Sequence, residues 1–263
     1  MKKVIFTWEL GGNLGHISQL APLAKRLSKH GFQVAVTVPD VGISSAQIPE
    51  EIALFQAPEW SYTISGLPAN AISYAEILAH AGYLSSSGIS GLLRSWRSIF
   101  LSFQPDLVIS ESSPTALVAA HTLDIPTTVI GNGFAIPPNQ SPFPPYVKVT
   151  EKRSRHLIQL EDKILESVNK ALAKMDCRAI NNLADLLNTS SINLLTFKEL
   201  DHYTDRQKAE YSGALFGLEN SIAMDWSGNT KHHVLAYLTP NRNILEPILH
   251  GLDSISAEVI VSC

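Results

Sequence analysis

Short apolar runs alternate with longer amphipathic runs along most of the chain. The apolar runs predict strands over Val4–Trp8, Phe32–Val38, Ile52–Ala57, Asp106–Ser110, Pro126–Ile130 and Ile192–Phe197. Apolar residues at helical spacing predict helices over Ile17–His30, Ile72–Ala81, Gly91–Phe103 and Pro114–Leu123. Strands that alternate with helices form parallel sheets covered on both faces. The pattern therefore predicts an α/β fold, a Rossmann-like parallel sheet with helices on both faces.

The alternation is interrupted in the second half of the chain. Five prolines over Phe134–Tyr146 exclude a helix interior or a central strand and predict an ordered loop. A long helical pattern follows over Glu151–Leu187, with a predicted break near Met175–Cys177. We expect the loop to contribute to a binding cleft.

Glycines and asparagines mark a linker at residues 213–232, after an N-terminal domain of residues 1–212. Residues 233–263 repeat the strand–helix–strand pattern, with elements predicted over Val234–Leu238, Ile244–Leu252 and Ala257–Ser262. So short a unit cannot bury both faces of its sheet by itself. We therefore interpret residues 233–263 as the incomplete start of a second Rossmann-like domain, and the chain as truncated within it.

Composition and charge narrow the function classes. The 263 residues are 45% hydrophobic, which is enough for one or two cores. A net charge of −4 gives no electrostatic basis for binding nucleic acid. No apolar run reaches the roughly 18 residues of a membrane helix, and Cys177 and Cys263 give neither a disulfide framework nor metal-ligand spacing. We expect a cytoplasmic protein; association with a membrane surface, through a partner or an apolar groove, stays open.

A glycine-rich turn, GGNLG at residues 11–15, follows the first predicted strand. Its spacing differs from the G-x-G-x-x-G of dinucleotide-binding proteins, and no acidic residue ends the second strand, although Asp40 lies close by. A Rossmann dehydrogenase is therefore poorly supported. Two interpretations of the turn remain. The glycines only permit a tight turn, or their bare backbone lets a ligand approach closely.

His16 follows this turn at the start of the first predicted helix. One interpretation is that His16 is a surface or capping residue. The other is that it is a general base, because the positive end of a helix favours the neutral imidazole that accepts a proton. Such a base works best beside an acidic group that orients its ring. Glu111 directly follows the strand predicted over Asp106–Ser110, and parallel strands bind ligands at their carboxyl edge. Glu111 is therefore either the partner of His16 or a residue favoured at the start of the next helix.

Other residues near this edge also have two interpretations. Glu9, Ser112, Ser113, Asn132 and Asn139 either contact a ligand or form turns. The candidates for substrate binding are Gly11, Gly12, Asn13, Gly15, Ser112 and Asn132. A set of apolar residues between positions 58 and 83 either lines an acceptor groove or belongs to the core: Trp60, Tyr62, Leu67, Tyr74 and Tyr83.

Three segments, in this order, carry a family resemblance. The first is Gly15-His16 with the apolar helix that leads to Gly31-Phe32-Gln33-Val34. The second runs from Pro105 to Glu111 and continues through Ala119-Ala120 to Ile125-Pro126. The third joins Phe197-Lys198-Glu199-Leu200 to Tyr211-Ser212-Gly213-Ala214-Leu215. Together they cover most of residues 1–215 and resemble GT-B fold glycosyltransferases of the UDP-glycosyltransferase-like superfamily.

This resemblance implies inverting transfer of a sugar from a nucleotide sugar, foremost a UDP-sugar, to the hydroxyl of a small-molecule or lipid-like acceptor. It implies that His16 is the catalytic base and Glu111 its acidic partner. The nucleotide sugar is a co-substrate, so no metal or other cofactor is expected.

The resemblance also bears on what the chain does alone. The family binds its donor mainly through a second domain, and the chain does not contain that domain's binding motif. We therefore expect little or no transfer by these 263 residues alone. The alternative is a non-catalytic truncated binding module that retains an apolar acceptor groove.

Two positions depart from the family pattern. Gln19 stands where many members have proline, and Pro22 follows one turn later. This predicts a first helix that starts late or is kinked. Glu111 stands where aspartate is usual, so its carboxylate reaches one methylene further.

Overall fold

A computed structural model describes residues 1–12, 14–187, 189–207, 209–215, 225–227, 230–238 and 241–262. The chain divides into two compact units, Met1–Leu218 and Glu219–Cys263. Asn13 lies outside the described residues, as do residues 216–224 and 228–229 of the predicted linker. The domain boundaries at 212 and 233 stay a prediction.

The first unit contains a six-stranded, wholly parallel sheet. Its strands are β1 Lys3–Thr7, β2 Gln33–Val38, β3 Ala53–Gln56, β4 Leu107–Glu111, β5 Thr127–Gly131 and β6 Ser191–Leu194. They lie in the order β3-β2-β1-β4-β5-β6, which is the order of a Rossmann fold. The predicted fold class is confirmed, and no end of these six strands differs from its predicted position by more than three residues.

Helices cover both faces of this sheet. They are α1 Leu14–Lys29, α2 Val41–Ser44, α3 Tyr74–Leu78, α4 Ser86–Phe103, α5 Pro114–His121 and α6 Glu151–Ala173. Ile5 and Val108 pack into the core that α3, α4, α5 and α6 form, while Phe6 and Ile109, the next residues of the same strands, pack against α1. Because successive strand residues point to opposite faces, one apolar run supplies both layers.

The prediction that the first helix starts late is wrong. It begins at Leu14 and continues through Pro22 as one element. Gly15 and His16 therefore lie in its first turn rather than in the preceding loop. The pattern missed this turn because its residues do not follow the apolar periodicity from which the helix was predicted.

One further helical prediction changes. The helix expected over Ile72–Ala81 begins at α3 and ends in a π-helical turn, Ala79–Tyr83, in which Gly82 has a φ of 88°. The break predicted near Met175–Cys177 is confirmed, because α6 ends at Ala173 and a 3-10 turn follows at Leu183–Leu187. The expected loop over Phe134–Tyr146 contains no helix or strand.

The second unit consists of strand β7 His233–Tyr237, helix α7 Arg242–Asp253 and strand β8 Glu258–Ser262. The two strands pair in parallel, so the predicted strand–helix–strand order is present. Among the described residues of the whole chain, no helix combines the length and apolarity that crossing a membrane requires.

Candidate active site

A cavity of about 460 Å³ opens at the carboxyl edge of the sheet. Gly11, Ser112 and Phe134, which follow β1, β4 and β5, form part of its wall. Since β1 pairs with β4, the segments that carry His16 and Glu111 emerge side by side. The polar residues that line the cavity are Glu9, His16, Glu59, His80, Ser112 and Thr115.

The structure brings His16 and Glu111 into direct contact. Nδ1 of His16 lies 2.6 Å from Oε2 of Glu111. Glu111 is the last residue of β4 and is only 1% exposed, whereas the side chain of His16 is 23% exposed. Opposite the carboxylate, Gly131 has no Cβ, and a Cβ there would lie 3.3 Å from Oε1 of Glu111. The carboxylate therefore fits closely behind the imidazole.

This contact selects the tautomer of His16. An ionised carboxylate only accepts hydrogen bonds, so it holds the proton on Nδ1 and leaves the lone pair of Nε2 available. The ring is also stacked on Trp8, with centroids 4.9 Å apart and planes 22° apart. The Trp8 indole in turn donates to the carbonyl of Leu10 at 2.8 Å. The imidazole is thus oriented by groups at the ends of two different strands.

Of the glycines near His16, only Gly11 lines the cavity, and its φ is +92°. A Cβ on Gly11 would lie 2.5 Å from Nε2 of His16, a distance that real side chains do not tolerate. A Cβ on Gly12 or Gly15 would meet nothing within 4 Å. The absence of a side chain at Gly11 therefore makes room for the imidazole of His16. Asn13, the other candidate in this turn, lies outside the described residues.

Ser112 and Asn132 shape the backbone around the cavity. Ser112 has a φ of 49° and lines the cavity, and its carbonyl accepts from the amides of Glu9 and Leu10 at 3.4 and 3.0 Å. Oδ1 of Asn132 accepts from the amides of Phe134 and Ala135 at 3.0 and 3.3 Å. Asn132 thus forms a turn that places two cavity residues, and its contact with a substrate stays a prediction.

Glu9 is a buried carboxyl in the cavity wall, 5% exposed. Its Oε1 accepts from the amide of Thr115 at 2.7 Å, at the start of α5. Burial raises the pKa of Glu9 to about 7, although hydrogen bonding by Thr115 opposes the shift. From the sequence, Glu9 was only one of several polar residues expected near this edge. The pattern of apolar and polar residues does not distinguish a buried acid from a turn residue.

The apolar residues proposed for an acceptor groove divide between wall and core. Trp60 lines the cavity, and its indole lies against Gly82 and Gly88, where an added Cβ would come within 2.4 and 2.3 Å of it. Tyr74 and Tyr83 are buried in the core instead. Leu67 packs beside that core, and Tyr62 is 73% exposed.

Three polar cavity residues carried no sequence signal: Glu59, His80 and Thr115. His80 lies in the π-helical turn, and its Nε2 is 2.8 Å from the carbonyl of Pro68.

Among the described residues, no group of three or more His, Cys, Asp or Glu side chains is placed to hold a metal ion.

Comparisons with known proteins support the fold. No family model matches the chain, and no curated protein does. Among solved structures, the glycotransferase of kitacinnamycin matches with a TM-score of 0.62 and 15% identity, over 99% of this chain and 64% of its own. SsfS6 from Streptomyces sp. SF2575 matches with a TM-score of 0.59 and 17% identity, over 100% and 68%.

VinC, solved in complex with dTDP, matches with a TM-score of 0.55 and 15% identity, over 99% of this chain and 66% of its own. The chain thus spans about 64% of the first of these proteins. At such identities the likeness concerns the fold alone. The chain has the GT-B fold of these glycosyltransferases, as the resemblance of its sequence segments implied.

Proposed function

We propose that this chain forms the acceptor-binding part of an inverting glycosyltransferase that uses a nucleotide sugar. The observation that carries the proposal is the contact between Nδ1 of His16 and Oε2 of Glu111 beside a cavity at the carboxyl edge of a GT-B sheet. A carboxylate-oriented histidine is a suitable base for a hydroxyl group. The cavity lining combines apolar residues such as Trp60, Ile77 and Leu92 with a few polar groups, which suits a small-molecule or lipid-like acceptor.

The proposed reaction follows from the tautomer. Nε2 of His16 takes the proton of the acceptor hydroxyl as the oxygen attacks the anomeric carbon of the donor. The bond from that carbon to the nucleoside diphosphate breaks on the opposite face, so the configuration inverts. Glu111 stabilises the imidazolium that forms. We assign no metal to this step, as the family resemblance implies.

The donor is expected to bind mainly to a second domain, of which residues 233–263 would be the start. A UDP-sugar is our first choice, and the dTDP bound to VinC makes TDP-sugars the next candidates. We expect the protein to act in the cytoplasm.

A non-catalytic binding module is the second candidate. Every described residue that lines the cavity belongs to the first unit, Met1–Leu218. Acceptor binding can therefore be measured apart from transfer.

The test is a transfer assay on the protein expressed from its complete gene, with UDP- and TDP-sugars and a panel of hydroxylated aromatic and lipid acceptors. We expect a glycosylated product whose anomeric configuration, read by NMR, is inverted. Replacing His16 by Ala should lower turnover by about 10²-fold or more. Retention of configuration, or near-normal turnover without His16, would contradict the mechanism; acceptor binding without any transfer would favour the binding module.

A further inference from the structure

The loop between β3 and α3, residues 57–73, supplies one wall of the cavity. The π-helical turn holds this loop at two points. Nε2 of His80 donates to the carbonyl of Pro68 at 2.8 Å, since a carbonyl only accepts. The indole of Trp60 lies on Gly82 of the same turn. The residues of this loop that line the cavity are Pro58, Glu59, Trp60, Ala69 and Ala71.

The indole of Trp60 is positioned by packing. Its Nε1 is buried and has no hydrogen-bond partner among the described residues, a cost that a phenylalanine would avoid. A Cβ on Gly82 or on Gly88 would come closer to the indole than real side chains allow. The bare backbone at these two positions, in the π-helical turn and on α4, therefore forms a seat for the indole.

This glycine seat, Gly82 and Gly88, adjoins residues that line the cavity. Leu92 lies one turn after Gly88 on α4, so the two residues share a face of the helix. Ala81 directly precedes Gly82. Leu92 and Ala81 belong to the described lining, whereas the two glycines are covered by the indole. Without the indole the cavity would extend from Leu92 onto Gly88, so Trp60 bounds it on this side.

We infer that Trp60 limits the size of the ligand that this cavity takes, and that Gly82 and Gly88 are positioning residues that keep its indole in the wall. That the ligand is a hydroxyl acceptor rests on the proposed function, whereas the size limit rests on the glycine seat. A compact ring system packs on the indole within the cavity of about 460 Å³. A wider ring system competes with the indole for the same space.

Two fluorescent alcohols, 2-naphthalenemethanol and 1-pyrenemethanol, test the size limit by titration of the whole chain. They differ by two fused rings, about the size of an indole. We expect the wild type to bind 2-naphthalenemethanol about tenfold more tightly, although pyrene is the more apolar ring system. Trp60→Ala should reverse this preference, and Trp60→Phe should give an intermediate one. NMR shifts of the His16 and His80 imidazoles, which line the cavity, verify where the alcohols bind.

Two glycines of α4 give a matched pair for the seat. Gly88→Ala places a methyl group where the indole lies, whereas a Cβ on Gly91 would meet nothing within 4 Å. We expect Gly88→Ala to bind 2-naphthalenemethanol about fivefold more weakly, as overpacking displaces the indole, and Gly91→Ala to bind it as the wild type does. In Trp60→Ala the further change Gly88→Ala should have no effect on this affinity. Thermal melts verify that each variant folds.

The remaining outcomes separate this inference from the proposed function. Equal binding of the two alcohols by the wild type, or an unchanged preference in Trp60→Ala, overturns the size limit and leaves the acceptor cavity in place. An effect of Gly88→Ala that persists without the indole overturns the role of the seat. Size-selective binding without sugar transfer by the product of the complete gene contradicts the proposed function alone. If neither alcohol binds, both the acceptor cavity and the inference fail.

Discussion

The imidazole of His16 is held on several sides by groups of different chemistry. Glu111 accepts from Nδ1, Trp8 stacks on the ring, and Gly11 leaves the space beside Nε2 empty. Each contact removes a freedom of the ring, in position, rotation or protonation. Single substitutions at this scale should therefore affect the proposed base without affecting the sheet.

The glycine turn offers a matched pair of substitutions. In Gly11→Ala the new Cβ meets Nε2 of His16 at a φ of +92°, so the ring must move or the backbone must strain. We expect transfer to fall by at least about tenfold, since small displacements of catalytic groups are costly. Gly12→Ala, whose Cβ meets nothing within 4 Å, is the control. Equal activity of the two variants would show that Gly11 does not maintain the base.

The carboxylate behind the histidine offers a second test. Glu111→Gln keeps the shape but removes the negative charge and can place an NH2 donor opposite Nδ1, so the tautomer is no longer fixed; we expect kcat to fall by about 10²-fold or more with little change in KM. Glu111→Asp keeps the charge but shortens a side chain that now reaches Nδ1 at 2.6 Å. This variant should retain an intermediate kcat. A change confined to KM would make Glu111 a substrate-binding residue instead.

At the scale of elements, long-range polar contacts fix the loops that complete the cavity. Glu161 of α6 accepts from the amide of Phe143 at 2.6 Å and so holds the proline-rich loop. Arg153 of the same helix pairs with the buried Glu76 of α3. The indole of Trp60 lies on Gly82 and Gly88, at the π-helical turn and on α4.

The contact between α6 and the proline-rich loop should make stability depend on pH. Burial raises the pKa of Glu161 to about 7, from an ordinary value of 4.5. The folded state thus favours the neutral carboxyl, so its contribution to stability is complete below about pH 4.5 and is lost as the pH rises through about 7. Between pH 5 and 8, which is roughly the window of this titration, the free energy of unfolding of Glu161→Gln should fall by less than that of the wild type. Denaturant melts at several pH values measure this difference.

Glu166 on the same helix is the matched control. It is exposed, and its pKa is lowered by Lys170. Glu166→Gln should leave the loss of stability between these pH values as in the wild type. An identical pH profile in all three proteins would mean that Glu161 is accessible to water in solution.

At the scale of the whole molecule, the cores and the cavity belong to the first unit. Among the residues that the structure describes, the three buried clusters and the lining of the cavity lie within Met1–Leu218. In the second unit, Leu235, Tyr237 and Ile244 are more than half exposed. A short strand–helix–strand unit buries too little apolar surface to be stable alone.

A division of the chain at residue 218 tests this difference. We expect residues 1–218 to fold by themselves, with a cooperative melt like that of the full chain. Residues 219–263 alone should give no cooperative transition. Loss of structure in the first fragment would show that the second unit stabilises the first.

Much of the fold was predictable from the pattern of apolar residues. Alternating strands and helices indicated the parallel sheet, because periodicity reports which faces of each element are buried. The first and last residues of the helices and strands were less predictable. The start of α1 at Leu14 depends on local backbone geometry that periodicity does not record.

The sequence by itself determined the order of the elements. Through a family resemblance, it also identified His16 and Glu111 as candidate catalytic residues. Only the tertiary structure decided that these two side chains, 95 positions apart, are in contact. It also decided that Gly11 rather than Gly12 or Gly15 serves the histidine, and that Trp60 lines the cavity while Tyr74 and Tyr83 do not. The physical reason is that periodicity encodes the burial of an element, whereas a site depends on contacts between strands that the sequence leaves far apart.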